Sequence, residues 1–300
     1  MSDQQRLAIV TGAASGLGRA FALQLAAAGW HVAVCDIDLA QADETLSLIR
    51  QTGGCGQVEP LDVTRLESWQ ELRSRLQSDW TSLGLLVNNA GVGMAGEVGA
   101  TSIEDWRWIV DSNLWGTIYG CHAMLEWLQA NPHGAHIINV SSAAAFQSAP
   151  PTAAYNVTKG AILSLSETLY AQLRRRNVGV TVVCPSSFPT NINKTLRVAG
   201  PHWRELLESL EQQAGLTADD VAASALRGMR RKWLYVVVPG SVRIQWYLKR
   251  LTPQWFLDGV ARAVYRSAEA ILSSPAHQLS RNMESEAPGA GTVLKRIERN

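Results

Sequence analysis

Seven short apolar runs alternate with longer stretches of helical pattern, and this rhythm constrains the fold more than anything else in the chain. The runs fall at residues 7–10, 31–35, 56–59, 83–88, 136–141, 178–184 and 234–238. The helix-patterned stretches include 18–28, 40–51, 65–78, 102–130 and 154–176. Near-continuous apolar strands separated by helices predict a parallel sheet covered on both faces. Right-handed crossovers then make it an α/β, doubly wound sheet. The rhythm holds over 1–240. Residues 191–216 interrupt it with a helical pattern carried by Trp203, Leu206, Leu207 and Leu210, which could cover a cleft. An aromatic and basic helical extension follows at 241–272, and 273–300 reads as a flexible tail in which 293–297 could form a short helix. At 300 residues and 46% hydrophobic content the chain has ample material for a core, which excludes a disordered or collagen-like class.

The first strand runs into Thr11-Gly12-Ala13-Ala14-Ser15-Gly16-Leu17-Gly18-Arg19, and a helix follows. Glycines there let the backbone turn tightly against a pyrophosphate, and the helix N-terminus offers free N–H groups. The spacing is looser than the common G-x-G-x-x-G, and alone it is also what a plain turn would show. Asp36 ends the second strand, 18 residues after Gly18, where an acid can bind both ribose hydroxyls and repel a 2′-phosphate. Ile37 and Ser15 offer no cation at that point, and Arg19 is discounted because it lies inside the helix. NAD is therefore the expected cofactor, with NADP left open. The plainer reading of Asp36 is a solvated strand end.

Tyr155 and Lys159 are four residues apart on a helical pattern and share a face. A free phenol has a pKa of about 10, too high for an efficient base, and a neighbouring ammonium favours the phenolate. Ser142 ends the fifth long run, at the sheet edge where open α/β sheets place ligands, and its hydroxyl can hold a substrate oxygen. Each of these is unremarkable by itself, since Tyr and Lys at this spacing occur by chance and a Ser-Ser pair can be a helix cap. Their combination after a glycine-rich first turn points to a redox site.

With these residues in place the sequence resembles the short-chain dehydrogenase/reductase family, in its single-domain, Rossmann-like three-layer α/β/α branch. The likeness extends over about residues 5–240 and includes the glycine turn, Asp36, Leu61-Asp62-Val63, Asn88-Asn89-Ala90-Gly91, Asn113, Ser142, Tyr155 and Lys159. The resemblance implies that Asp62 and Val63 bracket an adenine and that Asn89, Ala90 and Gly91 line the cofactor, alongside Gly12, Ser15, Gly16, Leu17, Gly18 and Asp36. It implies that Lys159 also binds the ribose, and that Asn113 holds a water completing a proton relay with Ser142, Tyr155 and Lys159. The family's Pro-Gly turn after the sixth strand reads Pro185-Ser186 here. Thr190 keeps its expected place at the nicotinamide carboxamide, with Phe188 as a second contact. The expected reaction is reversible hydride transfer between a nicotinamide and an alcohol or carbonyl carbon, with Tyr155 exchanging the proton. No metal is expected.

The candidate substrate lining is Val92 to Gly96, Ala143 to Phe146, Gln147, Phe188 and the 191–216 segment, with Trp203 and Leu206 as lid residues. It favours an apolar secondary alcohol, ketone or long-chain aldehyde over a sugar. Rival readings are a catalytically silent dinucleotide sensor or scaffold, a relative performing dehydration or epimerisation, and a peripheral membrane protein. The last rests on 241–266, where Ile244, Tyr247, Leu248 and Leu251 mark one helical face, Pro253 breaks or restarts the helix, and basic residues flank it. The preferred alternative is that this pair of helices packs on its own domain or on a subunit neighbour. A homo-oligomer, dimer or tetramer, is implied by the resemblance, through 102–130 and 154–176, where some of Trp106, Trp108, Trp115 and Trp127 could serve the interface. A formal charge of +1 gives no reason to expect nucleic acid. Four scattered cysteines, Cys35, Cys55, Cys121 and Cys184, and no signal-like segment before residue 7 make a reducing, cytoplasmic compartment the expectation. Cys184 is read as a buried strand residue.

Overall fold

A strand with no polar alternation has to be covered on both sides, and the first strand shows how this is done. A computed structural model describes residues 6–189, 192, 195–200, 203–212 and 215–272. In β1 (Arg6–Thr11), Ala8 and Val10 point into one apolar cluster while Leu7 and Ile9 point into another. This is the two-residue period of a pleated strand serving two helix layers. In chain order there follow α1 (Gly16–Ala27), β2 (Trp30–Asp36), α2 (Leu39–Gln51), β3 (Cys55–Pro60), α3 (Leu66–Gln77), β4 (Leu85–Asn88) and β5 (Met94–Gly96). Next come α4 (Ile103–Ile109), a π-helical segment (Val110–Trp115), α5 (Gly116–Gln129), β6 (Ala135–Val140), α6 (Ala144–Gln147), α7 (Ala153–Leu173) and β7 (Val178–Pro185). The described chain closes with β8 (Arg197–Ala199), α8 (Trp203–Gln212), α9 (Ala218–Arg230), β9 (Tyr235–Val238), α10 (Gly240–Leu251) and α11 (Pro253–Leu272).

Seven strands form one parallel sheet in the order β3-β2-β1-β4-β6-β7-β9. Helices α1, α2 and α9 cover one face, burying Phe21, Leu25, Ile49 and Leu226. Helices α3, α5 and α7 cover the other with Trp69, Leu72, Met124, Trp127 and Leu173. This is the doubly wound, Rossmann-like architecture. The order reverses between β1 and β4, so the loops leaving their carboxyl ends diverge and open a crevice there.

Three segments depart from the sequence reading. The 102–130 stretch is helical throughout, but its middle turn is π-helical rather than α-helical. The 191–216 stretch is not wholly helical, because β8 pairs in parallel with β5 in a separate two-stranded sheet. Strands of three residues are too short to show a period, and their pairing is non-local. In the C-terminal extension, Pro253 does restart the helix, but α10 packs through Val242 and Trp246 against Phe146, Val182 and Val237. The face marked by Ile244, Tyr247, Leu248 and Leu251 is exposed instead. The 293–297 segment lies outside the described residues.

Trp69 is fully buried between α3 and the sheet, and its indole N–H donates to Val63 O at 3.2 Å, so it links the core to the loop after β3. Trp69→Ala is expected to lower unfolding free energy by about 3–5 kcal/mol, read as a shift in the urea midpoint.

Candidate active site

Glycine supplies the turn after β1 for two physical reasons. Gly12 and Gly16 have φ of +64° and +52°, a region that costs a side chain strain. A Cβ on Gly18 would lie 2.0 Å from Gly12 O, so α1 approaches the turn closely enough to exclude any side chain. Ser15 caps α1 without a side-chain hydrogen bond, and the first turn carries no acid. The helix therefore presents unsatisfied N–H groups and the positive end of its dipole to the crevice. The loop after β4 is pinned to the same turn. Thr11 Oγ1 accepts from the N–H groups of Asn89 and Ala90, both at 3.0 Å, and Asn89 Nδ2 donates to Thr11 O at 2.9 Å.

Asp36 stands at the end of β2, where its carboxylate accepts from Ala14 N–H at 3.0 Å and Asp38 N–H at 3.1 Å. Arg19 is nearby but engaged, since its guanidinium donates to Ala14 O at 2.6 Å, Thr45 Oγ1 at 2.9 Å and Glu44 Oε2 at 3.2 Å. After β3, Asp62 Oδ1 accepts from Thr64 N–H and Oγ1, and Val63 packs against Gly116.

Lys159 is buried on α7, with Nζ donating to Val140 O at 3.0 Å and lying 5.5 Å from the centre of the Tyr155 ring. Burial lowers its pKa to about 8, opposed by a smaller effect of Cys184. The Cys184 thiol is itself pushed up to about 12 by burial. Ser141 Oγ donates to Lys159 O at 2.7 Å, locking α7 to the end of β6, and Ser142 Oγ accepts from Ala144 N–H at 3.2 Å. Asn113, fully buried in the π-helical segment, accepts from Val92 N–H at 2.8 Å and donates to Val92 O and Thr158 Oγ1. A Cβ on Gly91 would fall 3.0 Å from Asn113 Oδ1 and 3.5 Å from Lys159 Nζ. Gly91 thus leaves open a space onto which an amide and an ammonium both converge. A π-turn shifts side-chain directions by one residue, which lets Asn113 reach across to Val92.

Most of these groups border one cleft of about 680 Å³, a size ordinary for a small-molecule site. Gly12, Ser15, Gly16, Leu17, Asp36, Asp62, Val63, Asn89, Ala90, Gly91, Ser142, Tyr155, Lys159 and Phe188 line it. Gly18 and Asn113 sit behind the wall, and Thr190 lies outside the described residues. The same cleft is also lined by Met94, Gln147, Leu196, Leu206, Leu207 and Val264. Phe146, expected here, turns away and packs under α10, and Trp203 pairs with Tyr265 at 6.5 Å between ring centres. Thr64 and Val264 are lining residues that sequence reasoning missed, whereas Leu196 falls in the 191–216 segment expected there. No local pattern could point to Val264, which reaches the cleft from the last helix.

The model of the family described as short chain dehydrogenase matches residues 6–199. The probable oxidoreductase EphD of Mycobacterium tuberculosis is 36% identical over 195 residues, covering 65% of this chain and 33% of that protein. The chain therefore spans about a third of the length of that relative. The putative oxidoreductase SadH of the same organism is 29% identical, covering 79% of this chain and 87% of SadH. A short chain dehydrogenase/reductase from Burkholderia phymatum, solved in complex with NAD, superposes with a TM-score of 0.76 at 28% identity, covering 84% of this chain and 96% of the other.

A desolvated ammonium is a local cost to stability. Below its folded pKa of about 8, Lys159 is protonated in both folded and unfolded chains and the cost is full. From there up to the unfolded value near 10.4 the unfolded chain binds more protons, so stability rises with pH. Lys159→Met is expected to raise unfolding free energy by on the order of 1–3 kcal/mol at neutral pH. The gain should shrink as pH approaches the unfolded value, as followed by urea denaturation across a pH series.

Proposed function

This chain belongs to the short chain dehydrogenase family of oxidoreductases, and on that premise we propose that it interconverts an apolar alcohol and its carbonyl with NAD as cofactor. The observation that carries the reading is the shared cleft. The glycine turn with its open helix N-terminus, the residues Ser142, Tyr155 and Lys159, and an apolar set around Met94, Leu196 and Leu206 all line it.

The residues suit a nicotinamide dinucleotide along the whole crevice. The α1 terminus would take the pyrophosphate, and Asp36 would accept hydrogen bonds from both hydroxyls of the adenosine ribose. Asp62 and Val63 would border the adenine. Asn89, Ala90 and Gly91 would line the bound dinucleotide, with Lys159 beside its second ribose and Phe188 beside the nicotinamide. When bound, the nicotinamide supplies or accepts the hydride.

The protein's own part is the proton and the developing charge. Ser142 Oγ holds the substrate oxygen and stabilises negative charge on it. Tyr155 takes the hydroxyl proton in the oxidative direction and returns it in the reductive one. The Lys159 ammonium, held at Val140 O, favours the phenolate form of its neighbour. Asn113 braces Val92 beside the Gly91 space, where it would hold a water linking Lys159 to solvent.

An NAD preference follows from Asp36 together with Arg19, whose guanidinium is committed to Ala14, Thr45 and Glu44 rather than waiting for a phosphate. Met94, Phe188, Leu196, Leu206, Leu207 and Val264 make the apolar wall proposed to take the substrate chain. The proposed self-association surface includes Trp115, exposed and stacked on Tyr119 at 5.4 Å, and Val157, exposed on α7.

Tyr155→Phe is expected to lower kcat by roughly 10²–10⁴-fold while NADH binding, followed by fluorescence, stays within a small factor. Near-normal turnover would end the assignment. With 2-alkanols of increasing length, kcat/KM should rise about three- to fourfold per methylene until the wall is filled. A flat series would remove the apolar reading. Asp36→Ala should narrow the ratio of kcat/KM for NAD over NADP, which in the parent enzyme lies above one.

A further inference from the structure

Helix α10 carries apolar residues on both its inward and its outward side. Its inward side holds Val242 and Trp246, but also Lys249, whose ammonium donates to Phe146 O at 3.0 Å, and Gln245, which accepts from Gln147 Nε2 at 2.6 Å. Its outward side carries Ile244, Tyr247, Leu248 and Leu251, and the stripe continues onto Trp255 in the first turn of α11. These five are between 37% and 78% exposed. Spacings of three and four residues place the four of α10 in one row, and Trp255 stands exposed just past the break at Pro253. Single exposed apolar residues are ordinary, but a contiguous row marks a surface that meets something.

The charge around the row says what it meets. The exposed charges around the row are Arg243, Arg262 and Arg266 against Asp258 and Glu269, since Lys249 turns inward to Phe146 O and Arg250 lies 4.3 Å over the Trp246 ring with Glu167 at 3.8 Å. Arg243 is exposed beside Ile244, and Arg262 and Arg266 follow Trp255 along the outward side of α11. Tyr and Trp with an apolar body and a polar tip, flanked by guanidinium groups, fit the headgroup layer of an anionic bilayer. Among the described residues no helix is long and apolar enough to cross a membrane, so the contact is interfacial.

We propose that the outward face of α10 and the start of α11 docks on anionic lipid surfaces, with α10 lying in the headgroup plane. The experiment is co-sedimentation of the full chain with vesicles of equimolar phosphatidylglycerol and phosphatidylcholine, and with phosphatidylcholine alone, at low and high salt. Binding is expected with the anionic vesicles, weakened by salt and by the neutral lipid. The bound fraction should fall about tenfold or more in Leu251→Asp/Trp255→Asp and in Arg243→Gln/Arg266→Gln, both with unchanged circular dichroism and turnover. No binding of the parent chain to anionic vesicles at low salt overturns the proposal. So does binding that both double variants retain in full. Light scattering gives a third way to overturn it: if Leu251→Asp/Trp255→Asp splits an oligomer and the parent ignores vesicles, the face is an interface between copies of the chain.

Discussion

A lysine ammonium held out of water at the end of β6 organises the centre of this molecule. Lys159 is buried and donates to Val140 O, while its own carbonyl accepts from Ser141, so strand end and helix are locked from both directions. The same ammonium lies beside the Tyr155 ring and across the Gly91 space from Asn113. A charge in that position is tolerated only because its hydrogen bond and neighbours are already arranged before any ligand arrives. Its pKa near 8 is the measure of that desolvation, and leaves it still largely protonated at neutral pH.

The fold makes this arrangement available through topology. The sheet order reverses between β1 and β4, so the loops from the two halves separate above their carboxyl ends. Thr11 then ties the loop after β4 back to the glycine turn with two hydrogen bonds at its hydroxyl. Close approach of α1 to that turn, possible only without a side chain at Gly18, brings the helix N-terminus to the floor of the crevice. Helix α11 adds a wall that the strand and helix alternation does not provide. Its Val264 lines the cleft while the neighbouring Tyr265 packs edge-on to Trp203 and donates to Glu97.

Much of the frame was legible in the chain. Each of the seven apolar runs became a strand of the main sheet, because burial on both faces leaves an unbroken apolar signature that needs no partner to be recognised. Tyr155 and Lys159 could be paired from spacing alone, since four residues is just over one helical turn. Other features were hidden for stated reasons. A π-turn at Val110 to Trp115 changes which residues share a face without changing composition. The β5–β8 pair is three residues on each side, joined across a gap of roughly a hundred residues, so neither half carries a period. Phe146 falls in the segment expected to line the cleft, but the short α6 turns it under α10, a non-local contact with no local signal.

By itself the sequence determined the alternation, the glycine turn, the acid at the end of β2 and the helical pairing of phenol with ammonium. These are local properties, set by side-chain period and backbone freedom within a few residues. Tertiary structure alone decided which wall Val264 belongs to, where Arg19 directs its guanidinium, and that the apolar row of α10 faces outward rather than inward. Those outcomes depend on contacts between segments far apart in the chain, where an amphipathic pattern says that a helix has two sides and not which of them the rest of the protein covers.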